Sequence, residues 1–121
     1  MQLKFERLGD VLRVEVRSRE TAEETREAVE KTLAEREKHG VLGLLIVVKN
    51  SRAIFKVEEY GLSQHLASAA AIPGLRAATV TEDPAVHSAH QYLELIATQR
   101  GIAVRAFTSE ADALAWLRSP R

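Results

Sequence analysis

The sequence contains no cysteine. That excludes disulfide stapling, thiol catalysis and cysteine-based zinc sites, and it fits a reducing compartment. Neither sign of charge is in excess: 17 Lys and Arg stand against 17 Asp and Glu. A balanced chain exerts no long-range pull on nucleic acid or on an anionic membrane surface. No run of Lys or Arg announces a local basic patch. Long apolar runs are missing as well. The longest, 41–48, falls far short of the about 20 residues that a bilayer crossing needs. The stretch from Met1 to Arg7 has no apolar run behind a basic end, so it does not read as a signal peptide. There is no internal repeat, low-complexity segment, linker, Gly-rich phosphate loop or Walker pattern. These absences set the expectation of a cytoplasmic chain with no nucleic-acid partner, no membrane span and no cofactor.

What is there reads as one domain over residues 1–121. The apolar fraction is 45% and the charged fraction 28%, which is ordinary globular composition. A chain of this length hides roughly two thirds of its unfolded surface, enough for a core without staples.

The pattern of elements is legible residue by residue. Leu3, Phe5 and Leu8 alternate loosely with polar neighbours, Gly9-Asp10 supplies a turn, and Leu12, Val14 and Val16 alternate strictly with Arg13, Glu15 and Arg17. This predicts a β-hairpin with one buried face. Thr21 and Glu24 form a capping box ahead of a helix whose apolar stripe is Ala22, Thr25, Ala28, Val29, Thr32 and Leu33, ended by Gly40. Residues 41–48 (VLGLLIVV) are apolar on both parities, which predicts a central strand buried on both faces. The segment Arg52-Glu59 reads as strand or loop. Ser63 is placed to cap a short helix over 64–71 before Pro73-Gly74. A strand at 76–81 follows. Asp83-Pro84 then opens a helix with a core stripe of Val86, Ala89, Leu93, Ile96 and Ala97, closed by Gly101. A last strand alternates at Ile102, Val104 and Ala106, and Ser109 with Asp112 starts a helix burying Ala113, Leu114, Trp116 and Leu117. The predicted fold is α/β: a mixed, mostly parallel sheet of about five strands with helices on both faces, the first hairpin strand being the antiparallel exception.

Tyr92-Leu93-Glu94-Leu95-Ile96, then residues 100–107 (RGIAVRAF) and 110–117 (EADALAWL), resemble the STAS-like domains, the superfamily of bacterial anti-sigma-factor antagonists and sulphate-transporter tails. More narrowly they are similar to the SpoIIAA-like branch, which is itself similar to the lipid-transfer CRAL-TRIO fold. Val57-Glu58-Glu59-Tyr60-Gly61 and the strand at 76–81 fit the same pattern, so the resemblance covers residues 40–118. It implies a fold rather than an activity, because the matching positions are mostly core. Anti-sigma antagonists carry a phosphorylatable Ser in an Asp-Ser-Ser-Gly-like turn after the central strand. Here the chain runs Lys49-Asn50-Ser51-Arg52 and later Tyr60-Gly61-Leu62-Ser63, without the Asp-Ser pair. A phosphorylation-driven switch is therefore not expected.

Several residue groups are candidates for chemistry. Lys49, Ser51, Arg52 and Lys56 follow the central strand with Asn50 and Tyr60, and in open α/β sheets ligands bind outside the carboxyl ends of strands. Three cations beside a Ser and an Asn suit an anion; the plainer reading is a polar turn. Tyr60 and His65 flank the helix at Ser63 and suit a pocket wall or a core edge. Ser63 is a candidate phosphoacceptor at a helix start, against a simple N-cap. Glu58, Glu59, Glu82 and Asp83 lie near the same sheet edge, with Asp83 better explained as a cap. His87, His90 and Glu94 share one helix face at one-turn spacing and suit a divalent metal, against a solvated polar face beside the core stripe. With no nucleophile–base or metal pattern, the expected function is a non-catalytic binding or regulatory module acting on a protein partner or small ligand, more a binder than an enzyme. The alternative is a carrier of a small anion or lipid, or an enzyme, with its site at the carboxyl edge of the central strands. A homodimer fits either reading.

Overall fold

The computed structural model describes residues 1–53 and 62–120, and of residues 62–64 the backbone alone. The elements run β1 (Gln2–Leu8), β2 (Val11–Arg17), α1 (Ala22–His39), β3 (Gly43–Lys49), α2 (Leu62–Ala70), β4 (Arg76–Val80), α3 (Pro84–Gln99), β5 (Ala103–Phe107) and α4 (Glu110–Leu117). The strands form one sheet in the order β1-β2-β3-β4-β5. β1 pairs antiparallel with β2 across the Gly9-Asp10 turn, and the remaining pairs are parallel. β3, inside the apolar run, is the central strand. The segment Arg52-Glu59 lies mostly outside the described residues; Arg52 and Ala53 have no regular structure.

The sequential order decides where the helices go. Parallel crossovers are right-handed, and these strands add in one direction only, so every crossover helix falls on the same face. Accordingly Ala69 of α2 and Val86 of α3 join a core with Leu12, Val14, Val16, Leu44 and Val48. Only α4, which follows the last strand, is free to take the other face. There Ala113 and Leu117 pack on Val11, Leu45, Val47, Ala78 and Val80. Helices thus cover both faces, three against one.

A helix of eight residues is about 12 Å long. Its main contacts are with β3, β4 and β5, and of β2 it covers chiefly Val11 at the amino end. That explains the alternation of β2. Arg13, Glu15 and Arg17 emerge on the open side and neutralise one another: Arg17 Nε donates to Glu15 at 2.6 Å and Arg13 Nε to Glu110 at 2.8 Å. These cations, Arg17 first, hold the Glu15 carboxyl down at about 2.

Helix boundaries follow the local chemistry. Thr21 and Glu24 close the capping box, and Gly40 ends α1 at φ +64°, its N–H reaching Arg36 O at 2.8 Å. Asp83 caps α3 by accepting from Ala85 and Val86, and Ser109 caps α4 by accepting from Asp112. One boundary differs from expectation. α2 starts at Leu62, so Ser63 lies inside its first turn instead of capping it. Among the described residues no helix is long and apolar enough to cross a membrane.

Candidate functional site

Between the sheet and the three crossover helices lies an apolar cavity of about 170 Å³. The sheet contributes Val16, Leu44, Ile46, Val48, Ala77, Thr79 and Val104; α1 contributes Thr25, Ala28, Val29, Thr32 and Leu33. His65, Leu66 and Ala69 of α2 and His90 and Leu93 of α3 complete the wall with Arg19, Leu75 and Ile102. Its origin is the composition of the elements above it. α1 offers Ala and Thr where larger side chains would fill the space, and β4 offers Ala77 and Thr79.

Besides Thr32 of α1, three buried polar residues line this space. Thr79 is 4% exposed and His90 6%. Neither Thr79 Oγ1 nor His90 Nδ1 has a hydrogen-bond partner among the described residues. Leaving a buried polar atom unpaired costs about 1–3 kcal/mol, and both residues border the cavity. Arg19 is the third. Its backbone N–H donates to Ser51 Oγ at 3.1 Å and its Nη2 to Arg52 O at 2.6 Å. Burial above all, then the positive charge of Arg19 and then His87, push the His90 imidazole down to about 4. His90 is therefore neutral at pH 7, with one ring nitrogen donating and the other accepting.

The residues singled out after the central strand separate in space. Ser51 and Arg52 turn toward Arg19: Arg52 N–H donates to Arg19 O at 2.9 Å, and the Ser51 hydroxyl donates to Lys49 O at 3.0 Å. Lys49 points the other way, 3.6 Å from Glu15. It borders an open cleft of about 700 Å³ at the carboxyl edge, with Arg17, Asn50, Thr81, Glu82, Asp83 and Glu110. Much of that cleft is already committed, since Asp83 and Ser109 are caps and Glu110 pairs with Arg13. Lys56, Glu58, Glu59 and Tyr60 lie outside the described residues, as does the side chain of Ser63. His65 sits on the cavity wall with Nε2 3.4 Å from Glu30.

His87, His90 and Glu94 do not converge. Glu94 Oε1 accepts the backbone N–H of Ala106 at 2.7 Å. Among the described residues no group of three or more His, Asp or Glu is placed to hold a metal ion. The expected solvated face is also corrected, because His90 is buried. Its position was readable: it stands four residues after Val86 and three before Leu93, on the core stripe itself.

A search of curated proteins and a search of solved structures each return no match. The family model described as SpoIIAA-like matches residues 11–118, from the first residue of β2 to the residue that caps α4. The chain belongs to the SpoIIAA-like family.

Proposed function

We propose that the protein is a non-catalytic binding module whose ligand is a small, largely apolar molecule held in the cavity between the sheet and α1–α3. The observation that carries this reading is the largely apolar cavity itself, bordered by Thr79 and His90, two buried residues whose Oγ1 and Nδ1 have no hydrogen-bond partner among the described residues. Ligand sites are typically apolar with a few convergent polar groups. The volume is of the class that takes a ring of about six carbon atoms. Among the described residues no nucleophile paired with a base lines the cavity, and binding accounts for the arrangement without chemistry.

The test is a two-dimensional amide spectrum of the labelled protein titrated with benzene and hexan-1-ol. Shifts should cluster at Val16, Thr79, His90 and Leu93 and saturate. Saturable shifts confined to Lys49, Asn50, Glu82 and Asp83 would move the site to the carboxyl-edge cleft, which is the second reading. That cleft sits where open α/β sheets usually bind ligands.

A further inference from the structure

We propose that β1 is an interface with a second copy of this chain: two β1 strands pair antiparallel about a twofold axis at Phe5 and join the two sheets into one. The sheet has two edges, β1 and β5, and they are finished differently. At β5 the amides of Val104 and Ala106 are taken by Ile102 O at 3.1 Å and by Glu94 Oε1 at 2.7 Å. β1 has 7 residues against the 5 of β5. No loop, cap or side chain among the described residues bonds a backbone group between Leu3 and Arg7. Such an open row of N–H and C=O groups is a template for another strand.

Charge complementarity selects a second copy as the occupant. The hairpin sets Lys4 opposite Glu15 and Glu6 opposite Arg13. Arg13 and Glu15 are engaged with each other and with Arg17, Lys49 and Glu110, whereas the exposed Lys4 and Glu6 enter no ion pair among the described residues. A twofold axis at Phe5 sets Lys4 of each copy opposite Glu6 of the other. The row across the axis then reads Arg13, Glu6, Lys4, Glu15, alternating in sign, and symmetry repeats it in the opposite direction. Moving the axis to Lys4 or to Glu6 sets that residue against itself, like charge on like. A slip of one residue joins the apolar face of one copy to the charged face of the other. At Phe5 the faces match, with Leu3 and Phe5 on the side that packs against the core in both copies. Edge charges of a single sign would reject every copy; Lys4 with Glu6 rejects only those out of register.

The experiment is sedimentation equilibrium of the full chain at low salt across the micromolar range. The wild type should show a monomer–dimer equilibrium. Lys4→Glu turns two attractive pairs into two repulsive ones and should raise the dissociation constant about tenfold or more. Adding Glu6→Lys to Lys4→Glu exchanges the two charges and should restore the dimer. The chain has no cysteine, so Phe5→Cys can form a disulfide only between copies. Directly opposed residues of antiparallel strands have Cα atoms about 4.5–5.5 Å apart, within disulfide reach, so oxidation should yield a covalent dimer. A wild type that stays monomeric throughout would overturn the interface. So would a dimer that ignores Lys4→Glu and is lost on Leu95→Lys, which would place the contact on the exposed Tyr92 and Leu95 of α3. A folded Phe5→Cys protein that dimerises without cross-linking would overturn the register. Where Phe5→Cys fails to fold, the wild type and the two charge variants decide.

Discussion

Glu94 reaches from α3 to the edge of the sheet and accepts the backbone N–H of Ala106 at 2.7 Å. β5 is an edge strand, and an unpaired amide there is a template for another chain. The carboxylate occupies that amide. Glu94→Ala should lower stability by about 1.5–3 kcal/mol in urea denaturation, the scale of a hydrogen bond to a charged group. It should also raise self-association in sedimentation. Glu94→Gln keeps an acceptor and should lose less. An unchanged midpoint and an unchanged sedimentation profile for Glu94→Ala would show that the contact contributes nothing.

Thr79→Val replaces a buried hydroxyl by a methyl of nearly the same volume. Because Thr79 Oγ1 has no partner among the described residues, the exchange removes an uncompensated polar atom. The ligand-free protein should gain about 1 kcal/mol. Destabilisation by a similar amount would mean that the hydroxyl has a partner, such as a bound water.

Acid should weaken the fold through His90. Its folded value, about 4, lies below the ordinary 6.5 because of burial, Arg19 and His87. The unfolded chain takes up the proton first, so stability is full above about pH 6.5 and falls as the pH drops toward 4. A displacement of this size corresponds to about 3 kcal/mol. His90→Leu should flatten the stability profile between those two values. Glu15, held at about 2, acts in a lower window: its contribution is present above 4.5 and is lost as the pH falls from there toward 2. A wild-type profile flat from pH 6.5 to 4 would rule out the buried neutral imidazole.

Ser51 joins two loops by accepting from Arg19 N–H and donating to Lys49 O. Ser51→Ala should cost about 1 kcal/mol in a chemical melt, the usual value of a hydrogen bond. It should also loosen Arg19 at the cavity wall, raising the dissociation constant for hexan-1-ol. A stability loss with that affinity unchanged would separate Ser51 from the cavity.

Arg76 fastens α4 from below. Its Nη1 donates to Trp116 O at 2.8 Å and to Ser119 O at 3.1 Å, with the guanidinium 5.4 Å from the Trp116 ring centre. Arg76→Met should cost about 2 kcal/mol, and Trp116 fluorescence should shift to the red. An unshifted spectrum would mean that α4 stays docked without it.

The sequence by itself determined the elements and their caps. Capping and strand alternation are local: Thr21 with Glu24, Asp83 before Pro84, and the double-sided run behind β3 each act within a few residues. Even the placement of α1–α3 on one face follows once the strands are taken in sequential order, because the parallel crossovers share one hand. The tertiary structure alone decided the candidate site. Lys49, Ser51 and Arg52 are neighbours in the chain, yet the end of the strand turns Lys49 to one face and the other two to Arg19. The cavity is a difference between the volume enclosed by three helices over a sheet and the volume of the side chains supplied. No local pattern records such a difference. Its wall gathers Arg19, Thr79 and His90 from a loop, a strand and a helix. Their meeting depends on the register of β2 against β3 and of β3 against β4, long-range pairings that only the folded sheet sets.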